Sequence, residues 1–368
     1  MNYADATYEQ VAAVVERFYD IGRVSDVREI FGGFTNRSFG VRVEKSGAVA
    51  QVFVRRYKSD IDLGEIRFEH RLIDHAIENG LHQVAAVIRS RQGDSVVSPA
   101  DSGRFFAVYE FLAGEDRYSW DRPDLSDAEF ESAGNLLAAF HNAVRDFDPG
   151  GFRRREPPIL ELWPCLPGML QRQARWPDDR AVFKYFRRHL DGILEVLDRT
   201  ELTPRGASGV PVIAIHCDYH PGNLKWEGDA ATGLFDFDWA KMDLRLFDVC
   251  LAMVYFCSRW NDERDGEMRL DKMARFLGSY QRCLLEHGGL APIGKGECAL
   301  LPALLAVADA YLVQWCVSQF AAASAPDEDE YLRYLRHSVR LLAWIDTHRA
   351  AVAQTAGAAA LQQRKGGF

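Results

Sequence analysis

The sequence predicts an α+β fold of two lobes, a small antiparallel β-rich lobe followed by a larger, mostly helical one. Three observations predict it. Through the first 112 residues apolar side chains recur mainly at period two, broken by one interior helical stretch. After about Gly114 the helical period takes over and runs to residue 351. One pair of short strand patterns and one irregular polar loop interrupt it. The chain has 368 residues, which suits two domains at roughly 100–200 residues each. With 48% apolar and 26% charged residues, it is neither a disordered chain nor a small disulfide scaffold.

Thr7 caps a helix over 7–20, in which Val11, Val14, Val15 and Phe18 recur at helical spacing. Phe39, Val41 and Val43 then alternate with polar residues, and 50–57 forms a second strand after a Ser46-Gly47 turn. Helical period returns from Asp62 to Asn79, and Gly80 stops it. Residues 84–90 and 104–111 read as strands. A polar stretch, Glu115 to Ser126, leads into helices over 126–147, 177–199, 265–287, 297–321 and 328–351. Val212–Ile215 and Leu234-Phe235 are the short strand pair. The tail from about Ala353 is rich in Ala, Gln and Gly, a composition that frays. The expected division is 1–112, 113–352 and a flexible tail over 353–368.

Lys and Arg number 44 against 53 Asp and Glu, a formal charge of −9. A nucleic-acid partner is therefore not expected, because such a site carries a basic excess. The seven cysteines include no Cys-x-x-Cys pair and sit mostly among apolar neighbours. They fit a reducing, cytoplasmic setting. The start of the chain shows no basic and apolar leader pattern. Ala299 to Val317 is the most apolar stretch, but Pro302, Asp309 and Gln314 interrupt it. A buried helix, not a membrane span, is the expectation.

The polar loop reads His216-Cys217-Asp218-Tyr219-His220-Pro221-Gly222-Asn223. Phe235-Asp236-Phe237-Asp238 and then Asp248 follow. Two polar anchors five residues apart and an acid at a strand end suit phosphoryl transfer. That chemistry needs a nucleophile held in line, metal ions on the phosphates and cations to spread the charge. A carboxylate can take the proton of a hydroxyl, and an Asn carbonyl with a second carboxylate offers Mg²⁺ hard oxygens.

His216-x-Asp218, then Asn223, then an Asp at a strand end, resembles the protein-kinase-like fold. With no Arg after His216, and with Leu234-Phe235-Asp236-Phe237, the chain resembles the aminoglycoside phosphotransferase and choline kinase superfamily. Asp243 to Val249 and Gly134 to His141 continue that pattern. Within it, the chain is most similar to type II homoserine kinase-like phosphotransferases. The resemblance runs from residue 25 to about 350. It implies a nucleotide-binding lobe over 1–112 and a catalytic loop and acceptor site in 113–352.

The resemblance makes Asp218 the catalytic base, Asn223 and Asp236 the Mg²⁺ ligands, and His216 and Asp248 supports of the loop. In the first lobe it makes Arg55 the phosphate cation and Glu69 its partner. Arg56 and Glu65 are the rivals, one strand residue and one helical turn away. Gly33, Thr35 and Asn36, in Gly32-Gly33-Phe34-Thr35-Asn36-Arg37-Ser38, belong to the phosphate-covering loop. Glu110 and Leu112, in the connector Tyr109-Glu110-Phe111-Leu112, would offer backbone groups to adenine. Cys217 stands where the family usually has Gly. Trp239, Tyr255, Trp260 and Asp262 are candidates for the acceptor side, and Asp238 and Asp243 for a supporting shell.

The implied activity is an ATP- and Mg²⁺-dependent transfer of the γ-phosphate to a small-molecule alcohol. A homoserine-like amino alcohol comes first, with choline or ethanolamine, an aminoglycoside or a sugar as alternatives. A catalytically silent, nucleotide-binding relative is the reading of a different class. Gly289 to Gly296 nearly fits a phosphate loop, but Gly296 replaces the hydroxyl residue and no strand precedes it. It reads as a helix–helix connection. His216, Cys217 and His220 lack a second cluster at zinc spacing. The Asp236-x-Asp238 pair of a glycosyltransferase would leave Asp218 and Asn223 unexplained.

Overall fold

A computed structural model describes residues 3–30, 36–100, 102–323 and 326–362. The fold is α+β and kinase-like, and it divides into two compact units. The first holds residues 1–114 with 148–155 and 233–235, and the second holds the rest. The first unit is thus not one continuous stretch, as periodicity alone suggested. Two later excursions of the chain belong to it.

The first unit begins with α1 (Tyr3–Phe18), β1 (Arg23–Ile30), β2 (Arg37–Lys45) and β3 (Ala48–Arg56). It continues with α2 (Leu63–Glu78), β4 (Val87–Ile88) and β5 (Phe106–Glu110). Among the described residues the sheet has the order β1-β2-β3-β5-β4, antiparallel throughout. The register pairs Phe39 with Val54 and Val54 with Val108, so one apolar row crosses three strands. Val41, Val43 and Val52 extend that buried face, and Val11, Val14, Val15 and Tyr19 complete the core against it. Asp62 caps α2 by accepting the Gly64 N–H at 2.7 Å. The unexpected strand is β1. A register shift between Val24 and Asp26 puts Val24 and Val27, three apart, both against the core. Period two fails across such a bulge.

The second unit holds α3 (Asp127–Ala143), α4 (Ile159–Leu162), α5 (Leu166–Ala174) and α6 (Ala181–Asp198). Four short strands follow: β6 (Val212–Ile215), β7 (Leu224–Glu227), β8 (Ala230–Leu234) and β9 (Lys241–Leu244). The last helices are α7 (Arg245–Cys257), α8 (Leu270–His287), α9 (Lys295–Ala322), α10 (Glu328–Thr347) and α11 (Arg349–Gln362). A capping box opens α3: Ser126 Oγ accepts the Glu129 N–H, and Glu129 accepts the Ser126 N–H. Gly134 lets α3 and α8 touch, since a Cβ there would meet Phe276 O at 2.6 Å. The segment 288–294 joins α8 to α9 as a connection.

Three details differ from the sequence reading. The strands of the expected pair do not pair with each other: β6 pairs with β9, and β8 pairs with β7. Helix α7 showed no period because every one of its residues is buried, leaving no polar face to mark it. Residues 353–362 are not a frayed tail. They continue α11, with Val352, Ala356 and Ala359 buried. The apolar helix α9 is long enough to cross a membrane, but 83% of its apolar window is buried inside the protein.

Candidate active site

In the second unit, β6 delivers the chain to a loop that one carboxylate organises. Asp248, in the first turn of α7, accepts the backbone N–H of His216 at 2.9 Å and of Cys217 at 2.8 Å. Its Oδ2 also accepts His141 Nε2 at 3.0 Å. Burial alone would raise the Asp248 pKa, but the bonds and charge of His141, with help from His216, bring it below the usual carboxylate value. His216 is fully buried, and its Nδ1 accepts the Asp218 N–H at 3.3 Å. It packs 4.6 Å, ring to ring, from Phe237. These contacts place His216 and Asp248 beneath the loop.

Cys217 adopts φ +63°, the left-handed region in which glycine is least strained. The fully buried thiol is pushed well up by burial, with Lys241 opposing. The turn leaves the Asp218 side chain half-buried at the loop's bend. Burial, and then the charge of Asp236, push its carboxyl well above the usual range. Asn223 ends a single 3₁₀ turn, Pro221–Asn223. Its Nδ2 donates to the Asp218 backbone oxygen at 2.9 Å and to Asp218 Oδ2 at 3.1 Å. With its amide hydrogens so engaged, the side-chain oxygen is the group left for a cation.

Asp236 follows β8 in the left-handed region, at φ +67°, a strained position for a non-glycine residue. The structure thus brings Asp218, Asn223 and Asp236 together. A carboxyl whose pKa a neighbouring carboxylate raises, as Asp236 does for Asp218, favours a positive charge beside it. All the donors are oxygens, which fits Mg²⁺. Among the described residues no group of three or more His, Cys, Asp or Glu could hold a metal. A cation here needs further oxygens from water or phosphate, as Mg²⁺ ordinarily takes.

Asp238 adds to the negative field at Asp218. Asp243 is buried and accepts the Ile159 and Leu244 N–H groups at 2.8 Å each, beside Lys241 at 3.3 Å. It braces β9 against the start of α4.

Sequence reading named Trp239, Tyr255 and Trp260 but missed Trp120, Trp315 and Tyr334, which join them in one aromatic cluster, and it weighed His220 only as a zinc ligand. The His220 ring lies 5.3 Å from the Tyr255 ring, and the Tyr255 hydroxyl bonds that of Tyr334 at 2.7 Å. Trp120 packs 4.9 Å from Tyr334 and 5.3 Å from Trp260, while Trp315 lies 5.7 Å from Tyr334. Trp239 joins through Trp315 at 6.3 Å. Trp120 Nε1 donates to the half-buried Glu330 at 3.3 Å, and burial raises the Glu330 pKa. Asp262 is elsewhere, bonding Arg259 on the surface at 3.1 Å. The aromatic residues of the cluster come from five separated segments, so no local motif marks them.

In the first unit, Arg55 is buried and pairs with Glu69 at 3.4 Å. Tyr109 and Tyr57 donate to the same carboxylate at 2.9 and 3.2 Å. His70 bonds both hydroxyls, and burial first, then Arg89 and Arg55, hold it neutral with a pKa lowered to about 3. The ion pair that forms is the one between Arg55 and Glu69. Arg56 is half-buried near Arg37 and Arg104, and Glu65 accepts the Arg155 N–H at 3.0 Å. Asn36 Oδ1 accepts the Lys58 N–H at 2.9 Å. Gly33 and Thr35 lie outside the described residues. Glu110 ends β5, its N–H donated to Ala86 at 2.9 Å, and Leu112 follows, half-buried.

Comparison with known proteins gives this arrangement its setting. Residues 26–285 match the model of the phosphotransferase enzyme family, APH. A homoserine kinase of Bradyrhizobium sp. (strain BTAi1 / ATCC BAA-1182) is 28% identical over 342 residues, covering 91% of this chain and 93% of that protein. One of Phenylobacterium zucineum (strain HLK1) is 27% identical, covering 82% of each. Among solved structures, a microcompartment-associated aminopropanol kinase superposes with a TM-score of 0.64 at 18% identity, covering 94% of this chain and 98% of that one. A choline kinase from Cryptosporidium parvum Iowa II gives 0.59 at 12% identity, covering 95% and 97%. The fold, the loop and the matched span agree: the chain belongs to the phosphotransferase enzyme family APH and is a phosphotransferase with an alcohol group as acceptor.

Proposed function

We propose that the chain is an ATP- and Mg²⁺-dependent kinase that transfers the γ-phosphate to a small, cytoplasmic amino alcohol, with L-homoserine ranked first. The observation that carries this reading is the bonding of Asn223 to Asp218, with the Asp236 charge beside them. One residue accepts a proton while its two neighbours offer oxygens to a cation. Asp218 orients the acceptor hydroxyl and takes its proton as the oxygen attacks the γ-phosphorus. The bond from that phosphorus to the bridging oxygen breaks, and ADP leaves. Asn223 and Asp236 would hold Mg²⁺, whose charge offsets that of the phosphates.

The first unit would serve the nucleotide. Arg55, steadied by Glu69, supplies a fork for phosphate oxygens. Gly33, Thr35 and Asn36 would cover the phosphates, and Glu110 and Leu112 would present backbone groups to adenine. The acceptor side belongs to the second unit. An amine on the acceptor is supported by the Trp120, Trp260 and Tyr334 faces and by Glu330, since aromatic faces and a desolvated carboxylate both attract a cation. Homoserine ranks first because relatives that align over most of this chain carry that name. Choline, ethanolamine and aminopropanol are the alternatives the aromatic faces favour.

The test is ADP release from MgATP with L-homoserine, choline, ethanolamine, 1-amino-2-propanol, kanamycin and methylthioribose, with Asp218→Asn as control. Turnover of one acceptor that the variant loses supports the reading. Acceptor-independent ADP release that the variant retains would sink it.

A further inference from the structure

His220 sits beside the proposed base with no task in the account above. Its Nδ1 accepts the Gly222 backbone N–H at 3.1 Å. A ring nitrogen that accepts an N–H carries no hydrogen itself, so the neutral ring keeps its proton on Nε2. Gly222 permits this close seat, because a Cβ there would lie 3.1 Å from His220 Cε1 and 3.2 Å from Nδ1. The side chain is mostly buried and faces Tyr255.

Nε2 lies 3.8 Å from Asp218 Oδ2. That is too long for a hydrogen bond between them. It is, however, a span that a single oxygen can bridge, sitting about 2.8 Å from each. One partner is a donor and the other an acceptor, as an alcohol oxygen and its proton require.

We propose that His220 is a second catalytic residue, whose Nε2–H donates to the acceptor hydroxyl oxygen while the hydroxyl proton points at Asp218 Oδ2. This rests on the reading of Asp218 as the base. The clamp fixes the oxygen at two points and leaves its remaining lone pair for the γ-phosphorus. As the oxygen–phosphorus bond forms, the hydroxyl proton passes to Asp218 and the bridging P–O bond breaks toward ADP. His220 keeps its own proton throughout.

Two substitutions separate this role from a merely structural one. His220→Asn keeps an oxygen near the Nδ1 position to accept the Gly222 N–H but cannot reach the hydroxyl. His220→Gln places an amide N–H near the Nε2 position. With L-homoserine and 1-amino-2-propanol as acceptors, His220→Asn should keep the wild-type Tm and MgATP affinity but lose about 10- to 100-fold in kcat. His220→Gln should recover part of that loss. ¹⁵N NMR of histidine-labelled wild-type protein should show His220 neutral and protonated on Nε2 at pH 7.5, with that nitrogen shifting as the acceptor is added. A proton on Nδ1, or His220→Asn turnover within about threefold of wild type, overturns the proposal. Loss of activity in both variants together with a fall in Tm also overturns it, in favour of a loop prop. If Asp218→Asn is inactive and His220→Asn is not, this proposal falls alone. If Asp218→Asn is fully active, the base reading falls and takes it along.

Discussion

His141 Nε2 donates to Asp248 Oδ2 at 3.0 Å, with both side chains fully buried. On its other side the His141 ring meets the Tyr280 hydroxyl at 2.8 Å, tying α3 and α8 to the carboxylate. The same carboxylate accepts the His216 and Cys217 N–H groups, so helix packing and loop geometry share one acceptor. Asp248→Asn keeps the shape but turns an NH₂ toward buried donors. Each donor so opposed costs about 1–3 kcal/mol. The expected result is a lowered denaturation midpoint together with lost turnover. Wild-type stability in the variant would contradict this account of the loop.

The depressed Asp248 pKa has a pH consequence of definite sign. Its ionised form is the one the fold holds, so its stabilisation is complete above the unfolded value of about 3.9. It is lost as pH falls through the folded value. Urea titrations from pH 6 downward should show wild-type stability falling below about pH 4, with a shallower slope in Asp248→Asn. Parallel slopes would exclude Asp248 as the source.

Asp309, in the middle of α9, has the opposite sign. It is fully buried, with the Ser338 hydroxyl beside its carboxyl. Burial pushes its pKa well above the usual range, which the Ser338 hydroxyl offsets only in part. The folded state therefore keeps a proton that the unfolded chain releases above about pH 4. Stability falls as pH rises from there toward the folded pKa. Asp309→Asn removes that dependence and should be the more stable protein at pH 8, by a few degrees in Tm. Calorimetry at pH 5 and pH 8 checks it, and a wild type that is the more stable at pH 8 would contradict it.

Asp218 and Asp236 should separate turnover from binding. Asp218→Asn is expected to lower kcat by about 10²–10⁴-fold with little change in MgATP affinity. Asp236→Ala should lose the Mg²⁺ dependence of nucleotide binding. Isothermal titration of ATP with and without Mg²⁺ decides between them. Equal Mg²⁺ dependence in Asp236→Ala and wild type would remove Asp236 from the metal site.

Arg55 and Glu69 form a buried pair, and breaking such a pair from one side costs about 3–5 kcal/mol. Glu69→Ala takes the carboxylate from the buried guanidinium and removes one acceptor from the Tyr57 and Tyr109 hydroxyls. Both a lower Tm and weaker ATP binding are expected. Arg55→Lys keeps the charge but loses the fork, so it should raise the KM for ATP while leaving the acceptor KM within about twofold. An unchanged KM for ATP would return the phosphate role to Arg56.

The loop was legible because its chemistry is compressed into His216 to Asn223, with Asp236 and Asp248 at fixed distances along the chain. The apolar rows of β2, β3 and β5 were legible because one face of that sheet is buried and period two survives. Two elements escaped for opposite reasons. A bulge breaks the alternation of β1, and complete burial erases the amphipathic period of α7. The end of α11 escaped because composition reports a fraying tendency, whereas packing of Val352, Ala356 and Ala359 decides the outcome.

The sequence by itself determined the α+β class, the order of the β-rich and helical parts and the resemblance to the phosphotransferase family. Each of these is local: a period, a cap or a short spacing that neighbouring residues enforce. Only the tertiary structure decided which strands pair, which of Arg55 and Arg56 is buried against Glu69, and that His220 stands 3.8 Å from Asp218. It also gathered Trp120, Tyr255, Trp260, Trp315 and Tyr334 into one cluster. Such contacts join residues tens to hundreds of positions apart. They form because the buried faces of separate elements have to be covered, and no local pattern carries that information.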